Sequence, residues 1–276
     1  MRYRIEMAYD GAEFCGWQIQ PQEPSVQESL EQALQTLLKA RIGVTGAGRT
    51  DTGVSASFYV AHFDFDGPVP EALALNPKEG DNPLDCKQLR YKLNAILPKA
   101  VSILAIAPAA PDFHARFDAT MRQYSYFLHR VKDPFLESSS YFYAYPDVDF
   151  EAMNRAAQKL LGTHDFSCFE KSGGDNKTSV CTVFKARWEP YSPSICAGTA
   201  GPAAYWKFTI EADRFLRNMV RAIVGTLLEL GRGRRSEDDF ASLILPPDTP
   251  SDGPSRRSAA GESVPGHALF LSGIRY

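Results

Sequence analysis

The sequence predicts an α+β protein made of two halves, each with an antiparallel sheet. Three observations carry this. Short runs alternate apolar and polar residues with a period of two, and between them apolar residues recur at helical spacing. The order of these runs reads β-α-β-β-α-β, and it occurs twice. A chain of 276 residues, 44% of them hydrophobic, has room for one large domain or two modest ones with sizeable cores.

The first half opens with Arg2 to Asp10, where Tyr3, Ile5, Met7 and Tyr9 fall on one side and Arg4 and Glu6 on the other. Ser25 and Glu28 have the spacing of a capping box. The helix that follows keeps Val26, Leu30, Leu34, Leu37 and Leu38 in register to about Ala40. A short strand near Ile42 to Thr45 leads into a glycine-dense loop, and Ser57 to Phe65 is the next strand. After a loop rich in Pro, Gly and Asp (67–84), Cys86 to Leu97 is helical, Pro98 ends it, and Val101 to Ala107 is an apolar strand.

In the second half, Gln123 to Val131 is a strand with Tyr124, Tyr126 and Leu128 on one face. Phe150 to Leu161 is a helix ending at Gly162, and Thr182 to Trp188 and Tyr205 to Ala212 are strands. An apolar helix is expected from Phe215 to Leu230, with Gly231 as its stop, then a charged helix from Glu237 to Leu245 and a last strand from Leu269 to Ile274. The doubled pattern predicts two ferredoxin-like units, 1–110 and 111–276, with a cleft between them for a large ligand. The halves share the order of elements and no sequence repeat. The stretches 66–84, 189–204 and 246–263 are expected to be irregular, the last a mobile loop.

Composition narrows the function classes. Five cysteines stand singly without CxxC spacing, which argues against a disulfide framework or a zinc site and fits a reducing cytosol. The dispersed histidines suggest no metal. MRYRIEMAYD has no apolar run after its basic residues, so no signal peptide is expected, and no stretch approaches the ~18 apolar residues of a membrane span. The net charge of −3 argues mildly against a nucleic-acid partner, but the distribution is uneven. Arg214, Arg217, Arg221, Arg232, Arg234 and Arg235 face only Glu229 in their stretch, and Arg116, Arg122, Arg130 and Lys132 face only Asp118 in theirs. Such a chain can hold a basic cleft or simply two solvated faces.

The densest glycine stretch, GAGRTDTG (46–53), carries Arg49 and Asp51. It is either an ordinary turn or a site that holds a carboxylate against a substrate. It lies between two strands and lacks a Gly-Lys-Ser/Thr ending, so it is not a phosphate-binding P-loop. Two residues apart on an extended segment, Arg49 and Asp51 leave on the same face, and the guanidinium favours an ionised carboxylate, suited to a nucleophile or base. Tyr124 and Tyr126 are either core or base-stacking residues. Arg217 and Arg221, four apart, share a face of the apolar helix and either snorkel to water or pair with an anion such as Asp51.

In this order, several segments resemble the TruA family of tRNA pseudouridine synthases. They are YDGAEFCGWQIQP (9–21), SVQESLEQAL (25–34), GAGRTDTGVSA (46–56), LNAILP (93–98), FHARFDATMRQYSY (113–126), AAQKLLGTHDFSCF (156–169), FLRNMVRAIVGTLLELGRG (215–233) and GHALFLSGIRY at the end. The resemblance implies a cofactor-free and metal-free isomerisation of uridine to pseudouridine in the anticodon stem-loop of tRNA, by a cytoplasmic homodimer of two ferredoxin-like halves. It implies Asp51 of GRTD as catalytic nucleophile and Arg49 as the arginine that helps extrude the base. Tyr124 of RQYSY would stack on the uracil and take a proton from C5, and Arg221 of MVR would pair with Asp51. Arg116, Arg122 and Arg217 are further RNA-binding candidates. The target base must flip out of its stack. An ionised Asp near the flipped nucleotide can attack C1′, attack C6 or remove a ribose proton, and the sequence does not choose. The alternative is a non-catalytic tRNA-binding protein or RNA chaperone on the same fold. The chain departs from the family pattern at Ser55 (usually His), Tyr59 (usually Gln), Cys181 (Arg in many relatives) and Ala268 (usually Gly). These departures bear on fine specificity.

Overall fold

The computed structural model describes residues 1–75, 83–173, 177–198, 201, 203–249 and 256–276. Parts of the three irregular stretches, namely 76–82, 199–200, 202 and 250–255, lie outside the described residues. The chain forms two compact units, Met1–Thr120 with Leu271–Tyr276, and Met121–Phe270. Both contain helices and mostly antiparallel strands, as an α+β chain requires.

The first unit contains β1 (Arg2–Tyr9), α1 (Val26–Leu38), β2 (Val44–Gly46), β3 (Ser55–Asp64), α2 (Cys86–Ile96) and β4 (Val101–Pro108). The pairs β4–β1, β1–β3 and β3–β2 are antiparallel, in the order β4-β1-β3-β2. Tyr3, Ile5, Met7 and Tyr9 are buried, the face that the alternation marked. The Ser25 hydroxyl accepts the Glu28 N–H at 3.2 Å, which satisfies a donor that the start of α1 leaves unpaired. Val26, Leu30, Leu34 and Leu38 of that helix are buried. Asp85 caps the start of α2, its carboxylate accepting the N–H groups of Lys87 and Gln88, and the helix is tied to β4 by paired bonds between the Asn94 amide and the Ile103 backbone.

The second unit contains β5 (Met121–His129), β6 (Tyr141–Phe142), α3 (Phe150–Ala157), β7 (Gly162–Asp165), β8 (Val180–Pro190), β9 (Tyr205–Ala212), α4 (Met219–Gly231) and α5 (Glu237–Ala241). Its antiparallel order is β5-β9-β8-β7, with β6 added to β5 in parallel. The last strand is β10 (Leu269–Arg275), and the Arg275 carbonyl accepts the Thr120 N–H at 2.8 Å. Strands β6 and β7 were not anticipated, because segments of two and four residues are too short to display a period.

Two expectations about α4 are corrected. The helix begins at Met219 rather than Phe215, because Asn218 is left-handed at φ 65°, and a right-handed helix cannot run through that residue. Arg217 therefore precedes the helix and does not share a helical face with Arg221. Gly231 is not the stop but the last helical residue. A Cβ there would lie 2.5 Å from the Met153 sulfur, so glycine lets α3 pack close, and the chain leaves the helix through Gly233 at φ 69°. The charged helix α5 is also shorter than expected and ends at Ala241.

Candidate active site

The glycine loop joins β2 to β3 in the first unit. Thr50 is buried, while Arg49 is exposed and Asp51 half-buried. Burial thus alternates along the loop, with the two charged residues more accessible than the Thr50 between them. Two phenols hold the loop from below. The Tyr9 hydroxyl lies 2.9 Å from Thr50 Oγ1, and the Tyr59 hydroxyl donates to the Gly48 carbonyl at 2.5 Å. The Gly48 carbonyl before Arg49 and the Thr50 side chain after it are thereby held. Tyr59 is fully buried and stacks on Trp17 with centroids 4.2 Å apart. A Cβ at position 46 would lie 2.1 Å from the Tyr59 oxygen, so glycine is required where the loop crosses this stack. Beyond Asp51 the loop closes in a turn, with the Val54 N–H donating to the Asp51 carbonyl at 3.1 Å.

Two departures from the family pattern have structural places here. The Ser55 hydroxyl accepts the Gly11 N–H at 2.9 Å, and Tyr59 supplies the phenol under Gly48. Tyr59→Phe keeps the ring stack and removes the hydrogen bond. Its expected effect is a stability loss of about 1 kcal/mol in urea unfolding and a roughly tenfold slower turnover, because the loop is held less firmly.

In the second unit, Tyr124 lies half-buried on β5 opposite Ile210, with its ring edge-on to Phe215 at 5.1 Å. Tyr126 is fully buried and donates to the Pro265 carbonyl at 3.2 Å. Burial pushes its phenol well above the ordinary value, so it serves as core and not as a proton acceptor. Arg221 is close enough to Tyr126 for its charge to oppose that shift. Its Nε donates to the Val264 carbonyl at 2.7 Å, and the Val264 N–H returns to the Arg221 carbonyl at 3.2 Å, which orients the guanidinium.

Arg122 donates to the Asp213 carbonyl at 2.8 Å, and exposed Arg217 to the Ser172 carbonyl at 3.3 Å. Arg116 is exposed in the first unit, its guanidinium 5.7 Å from the Phe117 ring centroid. Cys181 is buried on β8, and burial pushes its thiol up to about 11 against the opposing effect of Arg214 beside it. Arg214 thus supplies a guanidinium next to the position where many TruA-like sequences carry arginine.

Sequence reading did not single out His62. It is buried on β3, and its Nδ1 accepts the Ala115 N–H at 3.1 Å. Burial first, then Arg2 and His114, lowers its pKa, with Asp64 and Asp118 opposing. The folded group binds a proton less readily than the unfolded one at ~6.5. Its contribution is therefore complete above that value and lost as pH falls below it toward the folded pKa. Buried His129 is lowered in the same direction by burial. The melting temperature is expected to fall between pH 7 and 5, and His62→Asn should flatten part of that slope in thermal scans.

Among the described residues, no group of three His, Cys, Asp or Glu is placed to hold a metal ion, and no helix is long and apolar enough to cross a membrane. Residues 156–276 match the family described as tRNA pseudouridine synthase. The chain is similar to proteins named tRNA pseudouridine synthase A over its full length. It is 45% identical to that of Bacteroides fragilis, covering 100% of this chain and 96% of the relative. It is 44% identical to that of Parabacteroides distasonis, covering 100% and 96%, and 42% identical to that of Porphyromonas gingivalis, covering 100% and 97%. With this identity sustained from end to end and the GRTD segment held outward on a clamped loop, the chain belongs to the tRNA pseudouridine synthase A family.

Proposed function

We propose that the chain isomerises uridine to pseudouridine in tRNA, with Asp51 as the catalytic carboxylate and the anticodon stem-loop as the substrate region. The observation that carries this is the full-length relation to tRNA pseudouridine synthases A, together with an aspartate presented on a fixed loop. The reaction breaks the C1′–N1 bond of uridine and forms C1′–C5. The C5 proton leaves and N1 gains a proton, so no redox partner is needed.

In this reading Asp51 acts on the flipped nucleotide as an ionised carboxylate, and Arg221 supplies the positive charge that keeps it so. Tyr124 stacks on the uracil and receives the C5 proton. Arg49, exposed between two anchored residues, fills the space the extruded base leaves. Arg116, Arg122 and Arg217 contact the RNA backbone. Two ferredoxin-like halves are proposed for the architecture, 1–110 with the Asp51 loop and 111–276. The antiparallel order β4-β1-β3-β2 supports the first, and β5-β9-β8 supports the second. Action on tRNA favours a cytoplasmic location, and a homodimer is proposed from the family. Tritium release from an unmodified tRNA transcript labelled at uridine C5 tests the activity. Absence of release by the native chain would reject it.

A further inference from the structure

We infer that the loop carrying His114, Arg116 and Phe117 is a base-stacking platform that takes one unpaired nucleobase of the RNA, separate from the uridine that reacts. The inference rests on the proposed tRNA substrate. Phe117 is 74% exposed. A single exposed apolar ring is common and by itself means little. This one is held in place. It lies on the His114 ring with centroids 4.2 Å apart and planes 27° from parallel. The His114 Nδ1 accepts the N–H groups of both Arg116 and Phe117 at 3.2 Å, which fixes the imidazole under the phenyl ring.

The backbone beneath is equally anchored. The His114 N–H donates to the Asp118 carboxylate at 2.8 Å, and the Asp118 N–H returns to the His114 carbonyl at 3.0 Å. Ala115 is fully buried, its N–H on His62 and its carbonyl accepting the Tyr276 hydroxyl at 2.8 Å. Most of the ordering entropy of an aromatic contact is therefore already spent in the fold. A largely exposed ring with an exposed arginine 5.7 Å from its centroid matches how proteins hold unpaired bases: the ring stacks, and the cation meets phosphate. Bases in a stem are stacked on each other, so the occupant is a base of a loop or bulge. A second copy of the chain fits less well. One phenyl ring contributes about 200 Å², against about 800 Å² per partner in a stable interface.

The test is binding of an unmodified tRNA transcript across a salt series. Phe117→Ala and Phe117→Leu are expected to weaken binding about tenfold, near the low end of one base–aromatic stack, with the salt slope unchanged. Phe117→Trp should keep the affinity, and its added indole should be quenched by RNA relative to the three native tryptophans. Arg116→Ala should make the slope shallower by about one. Native affinity in the Ala or the Leu variant would overturn the platform. So would a changed sedimentation coefficient of Phe117→Ala, which would assign the ring to contact between copies. Tritium release by the native chain separates the two levels. An inactive native chain with Phe117-dependent binding rejects the function and keeps the platform, whereas an active chain indifferent to Phe117 rejects the platform alone.

Discussion

Replacing Asp51 by Asn is expected to lower the rate of pseudouridine formation by at least about 10⁴-fold, the scale seen when a nucleophile is removed. tRNA affinity should stay within a few-fold of native. The substitution keeps the shape and removes the negative charge. It should also leave the loop in place, because Asp51 serves the turn through its backbone carbonyl, which accepts the Val54 N–H. The anchors at Gly48 and Thr50 belong to other residues and are untouched. Single-turnover assays with saturating enzyme measure the chemical step apart from binding. A chain that only binds or chaperones tRNA would tolerate the change.

Gly225→Ala is expected to destabilise the second unit by roughly 2–4 kcal/mol, read as a lower urea midpoint. Alanine normally favours a helix by about 1 kcal/mol over glycine. Here the methyl group would lie 1.8 Å from the Glu262 carbonyl oxygen. The chain at 261–264 is bound along this side of α4 by three further contacts. Thr226 accepts the Gly261 N–H, Asn218 donates to Ser263, and Arg221 bonds Val264 in both directions. Pushing the segment away removes the carbonyl that orients Arg221. Turnover should therefore fall by more than about tenfold even at temperatures where the variant remains folded. Unchanged stability would mean that the segment yields without penalty.

What the sequence showed best was local. The alternation of β1, the cap of α1 and the strand–loop–strand setting of Asp51 depend on neighbouring residues, and each could be read from spacing. Along 49–51 the burial alternates, with Arg49 exposed, Thr50 buried and Asp51 half-buried. What escaped depends on residues distant in the chain. Nothing near Tyr9 announces Thr50 as its partner, and Tyr59 showed only as a departure from a family pattern. The left-handed turn at Asn218 is invisible in an apolar helical period, which runs on through Arg217 to Phe215. Gly231 looked like a stop because glycine commonly ends helices, whereas its role is to admit Met153. The stretch 246–263 reads as a mobile polar loop, yet its residues 261–263 lie against α4, where Gly225 leaves space for them.

The central claim is that Asp51 performs a uridine-to-pseudouridine isomerisation on tRNA. It is tested most directly by tritium release from a C5-labelled, unmodified tRNA transcript, run in parallel with the native chain and with Asp51→Asn at equal RNA occupancy. The expected result is one tritium released per modified uridine by the native chain and none above background by the variant. Release at the native rate by Asp51→Asn, or no release by the native chain while it binds the transcript, would contradict the claim.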